Sequence, residues 1–169
     1  MNVKTEFHWV DGPWPGRLAV AARPRGGDWL TDEIASWRRS GIDSVLSLLT
    51  AEEEKELGLR DERGEVKAQG MNFVSLPIPD RQVPASESEL TAALEKLDDD
   101  LSLGKHAVVH CRQGIGRSGL AVACLLVTRG LSPEAAVKRV STARGVTVPE
   151  TPEQRSWIDH YAAILAGAK

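Results

Sequence analysis

The chain has 169 residues, 41% of them hydrophobic and 27% charged, with a formal net charge of −3. That size and composition describe one globular domain with a sizeable core, and the acidic balance excludes a nucleic-acid binder that works by bulk positive charge. Two cysteines, Cys111 and Cys124, are too few for a disulfide scaffold and lack metal-ligand spacing. Met1 to Asp11 shows no basic segment followed by an apolar one, and no apolar run is long enough to span a bilayer. The expectation is a single cytoplasmic domain over 1–169, with no membrane association.

In chain order, Phe7 to Val10 and Leu18 to Ala21 read as short strands joined through the turn-rich Asp11-Gly12-Pro13-Trp14-Pro15-Gly16. Thr31-Asp32-Glu33 opens a short helix with Ile34 and Trp37 on one face, ended by Gly41. Ser44 to Leu49 reads as a buried strand. Thr50-Ala51-Glu52-Glu53 is a capping-box pattern opening a second helix, and Leu57 to Gln69 reads as a third, weak at Gly64 and stopped by Gly70. Asn72 to Leu76 is the next strand, after which Pro77 and Pro79 break regular structure just before Asp80. Ser86-Glu87-Ser88-Glu89 caps a helix that carries Leu90, Leu94, Leu97 and Leu101 on one face. Ala107 to Val109 is a strand, and Leu120 to Val127 is apolar all round, as in a buried helix closed by Gly130. Ser132-Pro133-Glu134 starts another helix, and Thr151-Pro152-Glu153-Gln154 starts the last, running to about Ala166. The alternation predicts an α/β domain with a central, mostly parallel sheet flanked by helices on both faces.

Between the strand ending at Val109 and the helix beginning near Leu120 lies His110-Cys111-Arg112-Gln113-Gly114-Ile115-Gly116-Arg117-Ser118. Cleaving a phosphate monoester without a metal requires a seat for a dianion, an ionised nucleophile and a proton for the leaving oxygen. A cysteine between a strand and a helix meets the first two demands together. Successive backbone N–H groups, Arg112 through Arg117, form an anion nest, and the helix N-terminus adds positive potential that favours the thiolate. Gly114, Gly116 and Gly119 suit unusual backbone angles and close approach, and Arg117 offers a planar fork to two oxygens.

The string His-Cys-x-x-Gly-x-x-Arg-Ser, in this strand–loop–helix setting, resembles the signature of protein tyrosine phosphatases of the small dual-specificity type. Pro77-Ile78-Pro79-Asp80 resembles the loop that carries the general-acid aspartate in that family. Arg144 to Gln154 resembles the family segment ending in Glu-Thr-x-x-Gln. The resemblance covers much of the chain from Ser44 to Tyr161. It implies that Cys111 attacks phosphorus to form a cysteinyl-phosphate, and that Arg117 with the N–H groups of Arg112, Gln113, Gly114, Ile115 and Gly116 stabilises the equatorial oxygens. It further implies that Asp80 donates to the leaving oxygen and then activates water, and that Ser118 hydrogen-bonds the cysteine sulfur. His110 would orient the loop. Gln154 is a candidate for positioning water, but its capping-box relation to Thr151 favours a structural role about two to one.

No metal and no cofactor are implied, and the expected partner of a monomeric enzyme is a phosphoprotein, not nucleic acid. Two rivals give way at the loop. A rhodanese-type sulfurtransferase has a loop one residue shorter than the five residues between Cys111 and Arg117, and a non-catalytic phosphate-binding module would lack Cys111, Arg117 or Asp80. A non-protein phosphate ester, such as a phosphoinositide, an inositol phosphate or an RNA 5′-phosphate, is the alternative substrate. Such substrates call for more basic residues than Arg112 and Arg117 supply. Phosphotyrosine is expected ahead of phosphoserine and phosphothreonine because aryl oxides leave more easily. Arg81, beside Asp80, is free to meet phosphate or an acidic side chain. Cys124 reads as a core thiol, Trp9, Trp14, Trp29, Trp37 and Trp157 as packing residues, and both Glu52-Glu53-Glu54 and Asp98-Asp99-Asp100 as solvated runs.

Overall fold

A computed structural model describes residues 5–167. Five strands lie in the order β1-β2-β5-β3-β4: β1 (His8–Val10), β2 (Leu18–Ala21), β3 (Ile42–Ser47), β4 (Asn72–Ser75) and β5 (His106–His110). Among the described residues only the β1–β2 pairing is antiparallel; β2–β5, β5–β3 and β3–β4 are parallel. The α/β expectation holds, and the physical reason is visible in the strand alternation. Leu18, Val20, Leu46, Ala107 and Val109 face one apolar cluster, while Ala19, Ala21, Val45 and Val108 face another. A strand buried on both faces needs apolar residues at every position, and helices must cover each side.

Four helices cover the first face: α4 (Glu87–Ser102), α5 (Arg117–Thr128), α6 (Pro133–Arg144) and α7 (Pro152–Gly167). α5 is the innermost, with every residue from Arg117 to Val127 buried. The leucine stripe of α4 is fully used, since Leu90, Leu94, Leu97 and Leu101 are all buried. Burying each such side chain is worth roughly 2 kcal/mol. The second face is covered by α1 (Leu30–Arg39) and α3 (Glu62–Ala68), through Ile34, Trp37 and Val66. Short α2 (Ala51–Glu56) follows β3. None of the described helices is long and apolar enough to cross a membrane.

Several sequence expectations are corrected. The strand expected over Ser44 to Leu49 begins at Ile42, with a pairing irregularity between Ile42 and Ser44. The helix expected from Leu57 begins only at Glu62, because Gly58 adopts φ +69° and turns the chain out of α2. Gly64 instead lies inside α3. Ser86 accepts from Glu89 N–H, which is one half of a capping box. Trp29 is 46% exposed, with the Arg25 guanidinium over its ring, so it is not a core residue. The Asp98–Asp100 run is not simply solvated. Asp98 accepts from Trp14 Nε1 and from the Arg129 fork, and Asp100 accepts from Ser44 Oγ and Asn72 Nδ2. The leader reading falls partly on Met1 to Lys4, which lie outside the described residues.

Parallel strands place their C-terminal ends on one edge, and that edge collects the loops after β3, β4 and β5. The prolines at 77 and 79 end β4, yet the chain stays close to β3: Leu76 N–H donates to Ser47 O and Ile78 N–H to Leu48 O. Asp80 is thereby delivered beside the loop that follows β5.

Candidate active site

β5 is the central strand, and its end is fixed on both sides. His110 pairs with Ala21 of β2 and with Ser47 of β3, and Leu48 N–H donates to His110 O. Cys111 emerges from this fixed point into a loop that closes at Gly116, the N-cap of α5. Two glycines permit the path. Gly114 has φ +73°, and a Cβ there would meet Ala21 backbone at 2.6 Å; a Cβ on Gly119 would meet Val148 at 2.8 Å.

The Cys111 sulfur lies 3.2 Å from Ser118 Oγ and accepts from Gly114 N–H at 3.3 Å. Both contacts can stabilise negative charge on sulfur. Cys111 opens into a pocket also lined by Asp80, Arg112, Gln113, Gly116, Arg117 and Glu150. Gly114 and Ile115 belong to the loop but not to that lining. Gly114 is pressed on β2, and Ile115 packs against the larger core cluster. Arg144 clamps the loop from outside, donating to Gly114 O at 3.0 Å and Gln113 O at 3.3 Å.

Arg117 is 1% exposed and held from several elements. Its Nη1 donates to Glu53 Oε1 at 2.6 Å and Ile78 O at 2.8 Å, and its Nη2 to Glu53 Oε2 at 2.9 Å and Asp80 Oδ1 at 3.1 Å. Burial opposes the guanidinium charge, but the Glu53 bonds and the charges of Cys111 and Asp80 outweigh it and raise the Arg117 pKa. Burial likewise opposes the Glu53 carboxylate, yet Arg117 and the Thr50 N–H hold its pKa below the ordinary value. Glu53 also completes the capping box of α2 with Thr50. One side chain thus caps a helix and seats the arginine. The solvated reading of Glu53 is overturned, and its cue in the sequence was the capping box immediately after a buried strand.

Sequence reasoning also missed Glu62, which is fully buried with its Oε2 at 2.6 Å from His110 Nε2. The cue was its spacing from Leu59 and Val66, which puts it on the apolar face of α3. The rim of the pocket is paired. Arg81, at φ +64°, reaches Glu150 at 2.6 Å, and Arg112 lies 3.8 Å from Glu53 and 3.7 Å from Glu56. Gln154 is buried, takes Glu150 and Thr151 N–H on its Oε1, and donates to Gln82 O. It ties the Asp80 loop to the start of α7 and lies outside the pocket lining. Cys124 is buried in α5 with its thiol pKa pushed up by burial, and both cysteines are free.

The model of one protein family matches residues 4–162: the phosphatase domain of the dual-specificity and protein tyrosine phosphatase class described as the Swiss Army Knife type, PTP-SAK. The chain belongs to this family. Among curated relatives, rat cyclin-dependent kinase inhibitor 3 is 28% identical over 138 residues, which cover 80% of this chain and 63% of that protein. A protein of Invertebrate iridescent virus 6 named as tyrosine phosphatase 197R is 33% identical over 162 residues, covering 94% of this chain and 57% of its own. The chain therefore spans less than two thirds of these relatives. A solved kinase-associated phosphatase, carrying serine in place of its catalytic cysteine, superposes with a TM-score of 0.87 at 20% identity and covers 98% of each chain. The PTP-SAK domain thus has the fold that its sequence implies.

Proposed function

We propose that this PTP-SAK domain is a metal-independent cysteine phosphatase that acts on phosphoproteins, with phosphotyrosine ahead of phosphoserine and phosphothreonine. One observation carries the reading: a cysteine sulfur within hydrogen-bonding reach of Ser118 Oγ and Gly114 N–H, in a pocket that Arg117 and Asp80 also line. In the first step the Cys111 thiolate forms an S–P bond as the P–O bond to the leaving group breaks. Asp80, in its acid form, gives that oxygen a proton. Arg117 and the loop N–H groups carry the charge on the equatorial oxygens. In the second step the Asp80 carboxylate takes a proton from water, the water oxygen bonds to phosphorus, and the S–P bond breaks. Ser118 then supports the departing thiolate through its hydroxyl.

The rim favours a substrate with one phosphate. Arg81 and Arg112 both face carboxylates, which leaves little unpaired positive charge for a second phosphate. Aryl oxide is the better leaving group, hence phosphotyrosine first. The reducing cytoplasm is the compartment that keeps such a thiolate free.

The test is hydrolysis of p-nitrophenyl phosphate and of a phosphotyrosine peptide in excess chelator. The expected result is turnover that survives chelation, is blocked by vanadate and disappears in Cys111→Ser. Strict metal dependence, or turnover retained by Cys111→Ser, refutes the mechanism. Faster turnover of a phosphoinositide than of any phosphopeptide refutes the substrate class.

A further inference from the structure

The His110–Glu62 pair has no place in the two chemical steps, yet it touches the nucleophile's backbone from behind. His110 Nδ1 lies 3.2 Å from Cys111 O, and Nε2 lies 2.6 Å from Glu62 Oε2. Both side chains are fully buried, and Trp37 packs T-shaped on the imidazole at 5.8 Å between ring centroids. A carbonyl oxygen only accepts, so Nδ1 must carry a proton. Nε2 then either accepts from the acid form of Glu62 or, as imidazolium, donates to its carboxylate. In both forms one proton lies between the two atoms and Nδ1–H points at Cys111 O. Glu54 is a further charged group near the pair, with Arg63 beside it.

We propose that Glu62 is a positioning residue for the phosphatase reaction: it anchors the His110 ring through Nε2, keeps Nδ1–H on Cys111 O and so holds the first peptide of the cysteine loop. The inference rests on the reading of Cys111 as nucleophile. The backbone of His110 is pinned by strands on both sides, so the imidazole is the adjustable element at this corner. Without a partner for Nε2, the ring loses its anchor and is free to rotate away from the Cys111 carbonyl. The carbonyl then loses its Nδ1–H donor, and that peptide is free to turn. A turned peptide shifts Sγ and the Gly114 N–H that meets it.

The test uses the full chain and three readouts: turnover of p-nitrophenyl phosphate, the pH dependence of Cys111 alkylation by iodoacetamide, and imidazole ¹⁵N shifts. Glu62→Leu removes the partner while preserving bulk. It is expected to lower kcat by about 100-fold, the scale of a small misplacement at a reacting group, and to displace the alkylation profile. Glu62→Gln, whose amide N–H donates to Nε2, keeps Nδ1–H in place and is expected to restore most of the rate. In the wild-type protein the ¹⁵N shifts should report a protonated Nδ1 on His110 throughout the active pH range. Wild-type behaviour in folded Glu62→Leu, a Glu62→Gln as slow as Glu62→Leu, or a bare Nδ1 in the wild type each overturns the proposal. If Glu62→Leu does not fold, the glutamine variant and the ¹⁵N shifts decide. A wild-type protein that hydrolyses no phosphate ester refutes the enzymatic reading separately, because alkylation and ¹⁵N shifts still report the loop.

Discussion

Arg117 has five N–H donors, and four of them meet Glu53, Ile78 O and Asp80. Only Nε–H is left uncommitted. A phosphate that takes two parallel bonds from the guanidinium must therefore displace Asp80 from Nη2. The displaced Asp80, 54% exposed, is then free to turn toward the leaving oxygen. Asp80→Asn removes the competing charge and the proposed acid. Its kcat is expected to fall by about 10²–10⁴-fold, the usual worth of a general acid. Affinity for inorganic phosphate should hold or tighten, and the decline in rate at high pH should vanish, most visibly with poor leaving groups. A steady-state pH profile with phosphate inhibition checks all three. An unchanged decline assigns the acid elsewhere.

At the level of elements, α2 has six residues and is too short to persist alone. It is held by the Thr50–Glu53 box and by the Glu53–Arg117 fork. Breaking that buried pair by Glu53→Gln is expected to cost roughly 3 kcal/mol at neutral pH. The folded pKa of Glu53 is depressed, so its contribution is fully present above the unfolded value and is lost as pH falls through the folded one. Wild-type and variant stabilities should therefore converge in acid, which urea melts across that range would show. A constant gap would place the cost elsewhere. The same helix marks how far the sequence could be read. Thr50–Glu53, Ser132–Pro133 and Thr151–Gln154 were legible because each cap closes within three residues. So was the leucine stripe of α4. Glu53 on Arg117 spans 64 positions, Glu62 on His110 spans 48 and Trp14 on Asp98 spans 84. Those pairings exist only once the sheet has brought its loops to one edge, and a local pattern holds no record of them. The cysteine loop was legible as chemistry because cysteine, glycines and arginine lie within seven residues. Its supports were not.

For the molecule as a whole, the sheet order brings the ends of β3, β4 and β5 together, so the site draws on loops far apart in the chain. The net charge of −3 sets that site in a field that does not attract anions at long range. The paired rim sharpens the effect: Arg81 lies against Glu150, and Arg112 lies near Glu53 and Glu56. Capture of a phosphate thus depends on short-range contacts inside the pocket, where salt screens little, and not on steering from a distance. The kcat/KM for a small aryl phosphate should accordingly change by less than about threefold as ionic strength rises from roughly 0.05 to 0.5 M, across which the Debye length shrinks severalfold. A steep fall would reveal a basic approach path that these ion pairs do not provide. What the paired rim gives up in encounter rate it returns as discrimination: the many polyanions of a cell are not drawn to the mouth, as suits the proposed action on phosphate carried by a protein surface.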